Sequence, residues 1–287
     1  MRQIRFARGL ADEFISELSV GCLEGLLRSA VSRQLDIQIR EHSIDIYARG
    51  RVVMNLAHSR QRGVYRAKIH SKYLSGLQWP VSLSVDSNGY CHFAVDAASL
   101  DIYIASIDQI VGNAIALAKP EATTEEKLIQ ASYHPGSPLI FFDRQVQLHG
   151  APKRMDMIGL TQCSEPRIIL TELKQGLDNR IQRLMDQISS YYDLVAPDGH
   201  LREDVFRSYG NVIEQKQRLG LIPPGIGMPD KRPVVECLLV LYDYNERSEL
   251  LNRLKQAAEQ HTLPVWLVSL PKGQFAMPPL PDWRSLS

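Results

Sequence analysis

Three charged residues lie at the ends of two apolar runs in the middle of the chain. Asp156 lies in the run Met155–Leu160, and Glu172 and Lys174 follow the run Ile168–Leu170. Both runs have the composition of interior strands, where an unpaired charge is costly to remove from water. Two carboxylates with a nearby lysine are suited to bind a divalent metal ion and a phosphate group, and such ligands would offset the cost of burying the charges.

The spacing of these residues predicts that their side chains meet. Side chains two residues apart on a strand share a face, so Glu172 and Lys174 point the same way while Leu173 points into the opposite layer. If the strand that carries Asp156 lies alongside, its carboxylate can meet that of Glu172. Two carboxylates, a main-chain carbonyl and water molecules form the oxygen-rich set that Mg²⁺ prefers. Lys174 would then lie near the metal-bound water or the attacked phosphate.

The segment that follows, from about residue 178 to 195, has the periodicity of a helix. Its apolar residues fall on one side: Ile181, Leu184, Met185, Ile188 and Tyr192. A second stripe, about 90° away, carries Arg180, Arg183, Gln187 and Tyr191. We expect the apolar side to pack on the sheet. The second stripe then faces the edge where the three charges emerge, and it could contact phosphates and bases.

In this order the residues resemble the D…E-x-K…Q-x-x-x-Y signature of the PD-(D/E)XK nuclease superfamily. The matching positions are Asp156, Glu172-Leu173-Lys174 and the helical segment Gln187–Tyr191. Arg154, two residues before the aspartate, resembles the basic residue that is common there. The resemblance covers about residues 121–270. It implies a restriction-endonuclease-like fold of the α/β (α+β) class, in which a mixed central sheet is flanked by helices.

The same resemblance implies an activity and a role for each residue. The superfamily hydrolyses phosphodiester bonds, usually of DNA, with a bound metal ion, here Mg²⁺ or Mn²⁺. The helix at residues 125–130 resembles the family's leading helix, whose glutamate often joins the metal site; Glu125 or Glu126 could be that residue, and Glu126 is favoured. The implied roles are catalytic for Asp156, Glu172, Lys174, Gln187 and Tyr191, substrate-binding for Arg154, Arg180 and Arg183, and metal-binding for Asp156, Glu172 and Glu126. The next strand has Gln145 where some members carry an acid, and Asp143 close by, which leaves the number of carboxylate ligands open.

Two domains are expected to position these residues. Residues 1–120 predict a helix at 12–34 and then a β-rich region whose strands alternate in polarity, typical of an antiparallel meander with one polar face. Residues 121–287 alternate helices and strands in the order α-β-β-β-α-α-β-α-β, which predicts a mixed sheet with helices on both faces. The Pro-rich tail from residue 271 is expected to run over the surface.

The composition excludes several other classes of protein. The 287 residues are 44% hydrophobic and 23% charged, and the net charge is +1, so nucleic-acid binding would need a local basic patch. No apolar run reaches membrane-spanning length, and the N-terminal segment lacks the apolar core of a signal peptide. The four cysteines are scattered, without a C-x-x-C pair. These features predict a cytoplasmic protein that is not bound to a membrane.

Several alternatives remain open at this stage. Glu172 and Lys174 could form a solvated ion pair at a strand end, which would contribute little to stability. A non-catalytic subunit that binds nucleic acid or a partner could keep the nuclease fold, and an RNase is a further alternative, with DNA favoured over RNA. A homodimer and a complex with a helicase-like or defence partner are both open. The N-terminal region would serve substrate recognition or dimer formation.

Overall fold

The chain forms two compact units in a computed structural model that describes residues 6–58, 64–79, 84–175, 184–228, 233–245, 249–260 and 263–286. The meander unit comprises Arg8–Thr123 and Glu214–Pro224, and the mixed-sheet unit comprises Met1–Ala7, Thr124–Ile213 and Gly225–Ser287. The main division lies close to the boundary expected after residue 120. The division is not a single cut, however, because the first residues group with the mixed-sheet unit and Glu214–Pro224 groups with the meander unit.

An antiparallel sheet of five strands in sequence order forms the meander unit. The strands are β1 (Asp36–Ile39), β2 (Ser43–Ala48), β3 (Arg51–His58), β4 (Tyr65–His70) and β5 (Tyr90–Val95). The helices are α1 (Asp12–Val20), α2 (Glu24–Ser32) and α3 (Ala97–Ile115), with a short 3-10 helix at Ser71–Leu74. The predicted antiparallel meander is therefore confirmed, but the single helix predicted at 12–34 is wrong. The chain turns at Gly21, where the Glu17 carboxylate accepts a hydrogen bond of 2.8 Å from the Cys22 N–H.

The two faces of this sheet differ because side chains alternate along each strand. One face is apolar and buried, with residues such as Ile44, Leu56 and Ile69. Helices α1 to α3 supply the apolar side chains that cover it: Phe14, Ile15, Leu18, Leu26, Leu27, Leu100, Tyr103, Ile107 and Ile110. The alternate residues, such as Asn55 and Lys68, are polar and more exposed. The sheet therefore keeps the polar face that the sequence predicted.

A second sheet, of six strands in the order β11-β10-β9-β8-β7-β6, forms the mixed-sheet unit. The strands are β6 (Leu139–Val146), β7 (Met155–Thr161), β8 (Arg167–Gln175), β9 (Val234–Tyr242), β10 (Val265–Leu270) and β11 (Arg284–Ser285). The helices are α4 (Pro120–Ser132), α5 (Leu184–Val195), α6 (Arg202–Arg218) and α7 (Glu249–Glu259). Within the described ranges, no helix combines the length and the apolar character needed to cross a membrane.

This second sheet is mixed, as predicted, and the chain has an α+β architecture. Strands β6, β7 and β8 pair antiparallel, whereas β8, β9 and β10 pair parallel. Helix α4 contributes Leu128 and Ile129 to the apolar core that contains Leu173 and Leu238. Helix α5 packs against β8 and β9. Because Leu173 is buried in the core with α4, Glu172 and Lys174 lie on the other face of β8.

The C-terminal tail is part of the core, so the prediction that it runs over the surface is wrong. Met277 and Trp283 are 7% and 6% exposed and belong to the same apolar cluster as Leu238. Phe275 stacks on Tyr242 with ring centroids 5.3 Å apart. The prolines made the tail look irregular, but the aromatic and apolar residues between them bury enough surface to hold it on the sheet.

We expect Leu238→Ala to destabilise the protein by about 2–5 kcal/mol, because it leaves a cavity in the centre of β9. Val234→Ala is the matched control, since this residue lies on the same strand but is 58% exposed. It should change the free energy of unfolding by no more than about 0.5 kcal/mol. Urea denaturation measures both values, and equal losses would contradict the placement of the core.

Candidate active site

Two antiparallel strands bring Asp156 and Glu172 together. Strands β7 and β8 pair with Met157 opposite Thr171 and Ile158 opposite Leu170. Continued by one residue, this register sets Asp156 opposite Glu172, and directly opposite side chains on an antiparallel pair share a face. The Asp156 carboxylate also accepts a hydrogen bond of 2.9 Å from the Leu173 N–H. The first carboxylate is therefore fixed at the strand end beside the second.

Glu172 is a carboxyl group held almost completely out of water. Its exposed fraction is 1%. Burial raises the pKa of Glu172 to about 7, although Lys174, Asp156 and Gln187 each act to lower it. Its Oε2 atom is buried and has no hydrogen-bond partner within the described structure. A buried acceptor of this kind is expensive unless a proton or a cation satisfies it.

Lys174 lies on the same face as Glu172, as the strand spacing requires. Its Nζ atom is 3.6 Å from Glu172 Oε2 and donates a hydrogen bond of 2.8 Å to the Leu173 carbonyl. The lysine side chain is 11% exposed, so the ammonium is not a freely solvated surface group. This geometry disfavours the interpretation of the pair as a solvated strand-end ion pair.

Helix α5 places Gln187 at the carboxylates. The Gln187 Nε2 atom donates to Glu172 Oε1 at 2.6 Å and to the Arg154 carbonyl at 3.3 Å. A single amide therefore links the E-x-K strand to the chain that enters β7. The side chain of Arg154 itself is exposed.

Tyr191 differs from its predicted environment. Its exposed fraction is 0%, whereas Tyr192, the residue predicted to face the core, is only half-buried. The Tyr191 hydroxyl donates a short hydrogen bond to the Lys153 carbonyl, which allows the ring to be buried without an unsatisfied polar tip. Burial raises the pKa of Tyr191 well above its usual range, and the charges of Glu172 and Asp156 raise it further. Tyr191 therefore contacts the segment before β7 and lies within the electrostatic field of both carboxylates.

A buried arginine on β6 organises the two glutamates of α4. Arg144 is 0% exposed and its guanidinium lies 2.8 Å from Glu125 Oε2 and 3.5 Å from Glu126 Oε2. Gln145 Nε2 also donates to Glu125. Burial raises the pKa of Glu125 to about 7, and the charge of Asp156 raises it further. Both glutamates therefore contact Arg144, and Glu125 also lies within the field of Asp156. The choice of Glu126 for the metal site stays a prediction.

Arg144 was not among the predicted site residues, although its position in the sequence carries a detectable signal. An arginine inside the run LIFFDRQV has to be paired if that run is a buried strand. Two further predicted residues, Arg180 and Arg183, lie outside the described residues.

Asp156 and Glu172 supply fewer protein ligands than a complete metal site built from side chains alone. In the part of the chain that the structure describes, no group of three or more His, Cys, Asp or Glu side chains could hold a metal ion. Mg²⁺ is commonly bound by only one or two carboxylates and keeps several water molecules. The pair Asp156 and Glu172, with its orphan Oε2 acceptor, fits that smaller set.

No protein-family model, curated protein or solved structure matches this chain.

Replacing Glu172 by Gln should stabilise the metal-free protein at pH 8 but not at pH 5. The folded-state pKa of Glu172 is raised from 4.5 to about 7, so the stability gained from its proton is fully present below about pH 4.5 and is lost as the pH rises through 7. Glutamine mimics the protonated acid at every pH. We expect a gain on the order of 1–3 kcal/mol at pH 8. Thermal unfolding in EDTA at both pH values measures it, and a pH-independent difference would contradict the buried environment.

Arg144→Ala should destabilise the protein by about 3–5 kcal/mol, because it removes the buried guanidinium beside Glu125 and Glu126. The loss should be smaller at pH 5, where a glutamate with a raised pKa is protonated. Arg207→Ala is the control, since Arg207 is 73% exposed and pairs with Asp204 on α6. Its removal should cost at most about 1 kcal/mol. Urea denaturation at pH 5 and pH 8 compares the two variants, and similar losses would rule out a buried charge cluster.

Proposed function

We propose that the mixed-sheet unit is a metal-dependent nuclease of the PD-(D/E)XK type, with a restriction-endonuclease-like fold, that hydrolyses phosphodiester bonds in DNA. The observation that carries this proposal is the buried Glu172 carboxyl, which lies opposite Asp156 and whose Oε2 atom has no hydrogen bond but lies 3.6 Å from the Lys174 ammonium. A structural ion pair has no need of a second carboxylate at the same strand end.

The order of the elements supports the fold assignment. A helix, α4, precedes three antiparallel strands, and the second and third of these carry the aspartate and the E-x-K residues. Helix α5 follows with Gln187 turned to Glu172, and β9 then pairs parallel with β8. This is the arrangement that the sequence resemblance implied for a mixed sheet between helices.

Asp156 and Glu172 are the residues that would hold the metal, and Glu125 is close enough to feel the charge of Asp156. When bound, Mg²⁺ or Mn²⁺ would polarise a phosphate oxygen and lower the pKa of a bound water. Positive charge at this position would also relieve the cost of ionising Glu172 in its buried environment. The donor set is all oxygen, which suits these two cations.

Lys174 would act on the substrate. Its ammonium lies between the Glu172 carboxylate and the Leu173 carbonyl, and both contacts orient it. In that position it can donate a hydrogen bond to an attacked phosphate or to the attacking water. Gln187 holds Glu172 Oε1, which leaves the other carboxylate oxygen for the metal. Tyr191 supports the site by fixing the chain before β7.

A non-catalytic subunit that keeps the fold is the second candidate. It is favoured by the hydrogen bonds that already engage the site, since Asp156 accepts from the Leu173 N–H and Lys174 donates to the Leu173 carbonyl. Such a protein would bind nucleic acid or a partner without cleaving it. Incubation with linear, circular and single-stranded DNA and with RNA, each with Mg²⁺, Mn²⁺ or EDTA, separates the two candidates. Cleavage that requires the cation supports the nuclease, and intact substrates in every condition support the binding subunit.

Lys174→Ala should lower the cleavage rate by about 10²–10³-fold, because it removes a positioned charge from the reacting phosphate or water. Mn²⁺ binding, measured by calorimetry, should persist in this variant. Asp156→Ala should lose both cleavage and Mn²⁺ binding, since it removes a ligand. Lys255→Ala, on the exposed side of α7, is the matched control and should retain both. A Lys174→Ala protein that cleaves at the wild-type rate would refute the proposed role.

A further inference from the structure

The polar face of the meander sheet carries a row of cationic and aromatic side chains on its last two strands. We call it the basic face and define it by Arg66, Lys68 and His70 on β4 and by Tyr90 and His92 on β5. The register sets Lys68 opposite His92 and His70 opposite Tyr90, so these side chains lie on one face. Their neighbours in sequence, including Ala67, Ile69 and Cys91, are buried on the other face.

This face is accessible, and Arg66 and Lys68 place two cationic side chains side by side on β4. Arg66 and His92 are exposed, and Lys68, His70 and Tyr90 are half-buried. The sequences of the two strands, YRAKIH and YCHFAV, contain no aspartate or glutamate. Two acids flank β5 in sequence: Asp96 accepts a hydrogen bond from the Ser99 N–H, and Asp86 is engaged by His92 at 2.8 Å and by the N–H groups of Asn88 and Tyr90. Asp45, two strands from Lys68 on the same face, pairs with Arg40 at 2.8 Å. The acids near Arg66 and Lys68 therefore already have partners, which reduces the repulsion that an anionic ligand would meet.

The side chains of the basic face are held in place by contacts among themselves. The Lys68 ammonium lies 4.2 Å from the centroid of the Tyr90 ring. The His70 ring packs against Tyr90 at 5.0 Å and against Tyr73 at 5.4 Å. Burial lowers the pKa of His70, and the charges of Lys72 and Arg51 lower it further, while Asp86 acts to raise it. His70 therefore contributes a ring and a hydrogen-bonding group to the face, and Lys68 contributes the charge. An ordered ammonium such as that of Lys68 loses less conformational entropy when it binds a ligand.

We propose that the basic face binds the phosphate backbone of a single-stranded nucleic acid. Residues two apart on a strand are about 6.6 Å apart, so Arg66, Lys68 and His70 present evenly repeated donors. A polymer with evenly repeated anions matches such a row in spacing as well as in charge, whereas the charges of a lipid surface have no fixed spacing. Aromatic and histidine rings beside the cations can contact bases without sequence preference. This site is additional to the carboxylate site, and it does not require the chain to cleave.

The test measures binding of fluorescein-labelled oligothymidylate to the full chain in EDTA, where metal-dependent cleavage is absent. The double variant Arg66→Gln/Lys68→Gln should weaken binding by about tenfold at low salt and lower the slope of log K against log salt by about 1.4, at about 0.7 for each lost phosphate contact. The matched control is Arg28→Gln/Arg33→Gln, which removes the same charge from α2 and from the residue that follows it. It should leave the slope unchanged. Arg66→Gln alone, at an exposed position, gives a smaller loss in the same direction.

Equal losses in the two double variants, or no loss in the first, would overturn the proposal. The proposal would also be overturned if Arg66 and Lys68 were needed for binding to duplex DNA or to anionic phospholipid vesicles but not for binding to oligothymidylate. Far-UV circular dichroism and the Tm check that each variant is folded. A chain that binds oligothymidylate through these residues but never cleaves with Mg²⁺ would reject the proposed nuclease and support the basic face. If the Arg66→Gln/Lys68→Gln variant cleaves DNA with Mg²⁺ and binds oligothymidylate as the wild type does, the nuclease is supported and the basic face is rejected.

Discussion

A single carboxyl group, that of Glu172, is kept out of water at the end of a core strand. The alternation along β8 requires this, because Leu173 occupies the apolar core on one face and Glu172 must then lie under α5 on the other. The ionised carboxylate is costly in that position, and its pKa is raised to about 7 as a result. The ionised form of this one group is stabilised by three neighbours, which are Asp156, Lys174 and Gln187.

Three different partners can offset the cost of burying the Glu172 carboxylate. A proton does so without any other component, and Lys174 does so in part, at 3.6 Å. A divalent cation shared with Asp156 would do so most completely, because it also neutralises the second carboxylate. Under the proposed function, a site that passes between these states would respond to pH and to metal with the same side chains. The structural role of the charges and the proposed chemistry are therefore two consequences of one burial.

Charged side chains occur in two settings in this chain. In the mixed-sheet unit, cations and carboxylates are buried together, as at Arg144 and Glu125, and the geometry of each group is fixed by its partner. In the meander unit, Arg66 and Lys68 lie on β4, which, like its neighbour β5, contains no acid. Buried pairs give precise positions at the cost of desolvation, whereas exposed cations give attraction that salt can screen. The first arrangement suits chemistry on a phosphate, and the second suits binding along a chain of phosphates.

The sequence by itself determined the antiparallel meander, the mixed sheet and the face shared by Glu172 and Lys174, because these follow from local alternation and turn residues. The order of the motif residues along the chain also predicted that Asp156 and Gln187 lie at the same site. It could not determine that Arg144 pairs with Glu125, that Tyr191 rather than Tyr192 is fully buried, or that the Pro-rich tail enters the core. Those outcomes depend on contacts between residues far apart in sequence. Only the tertiary structure decides them, because the burial of each polar group is set by what packs over it.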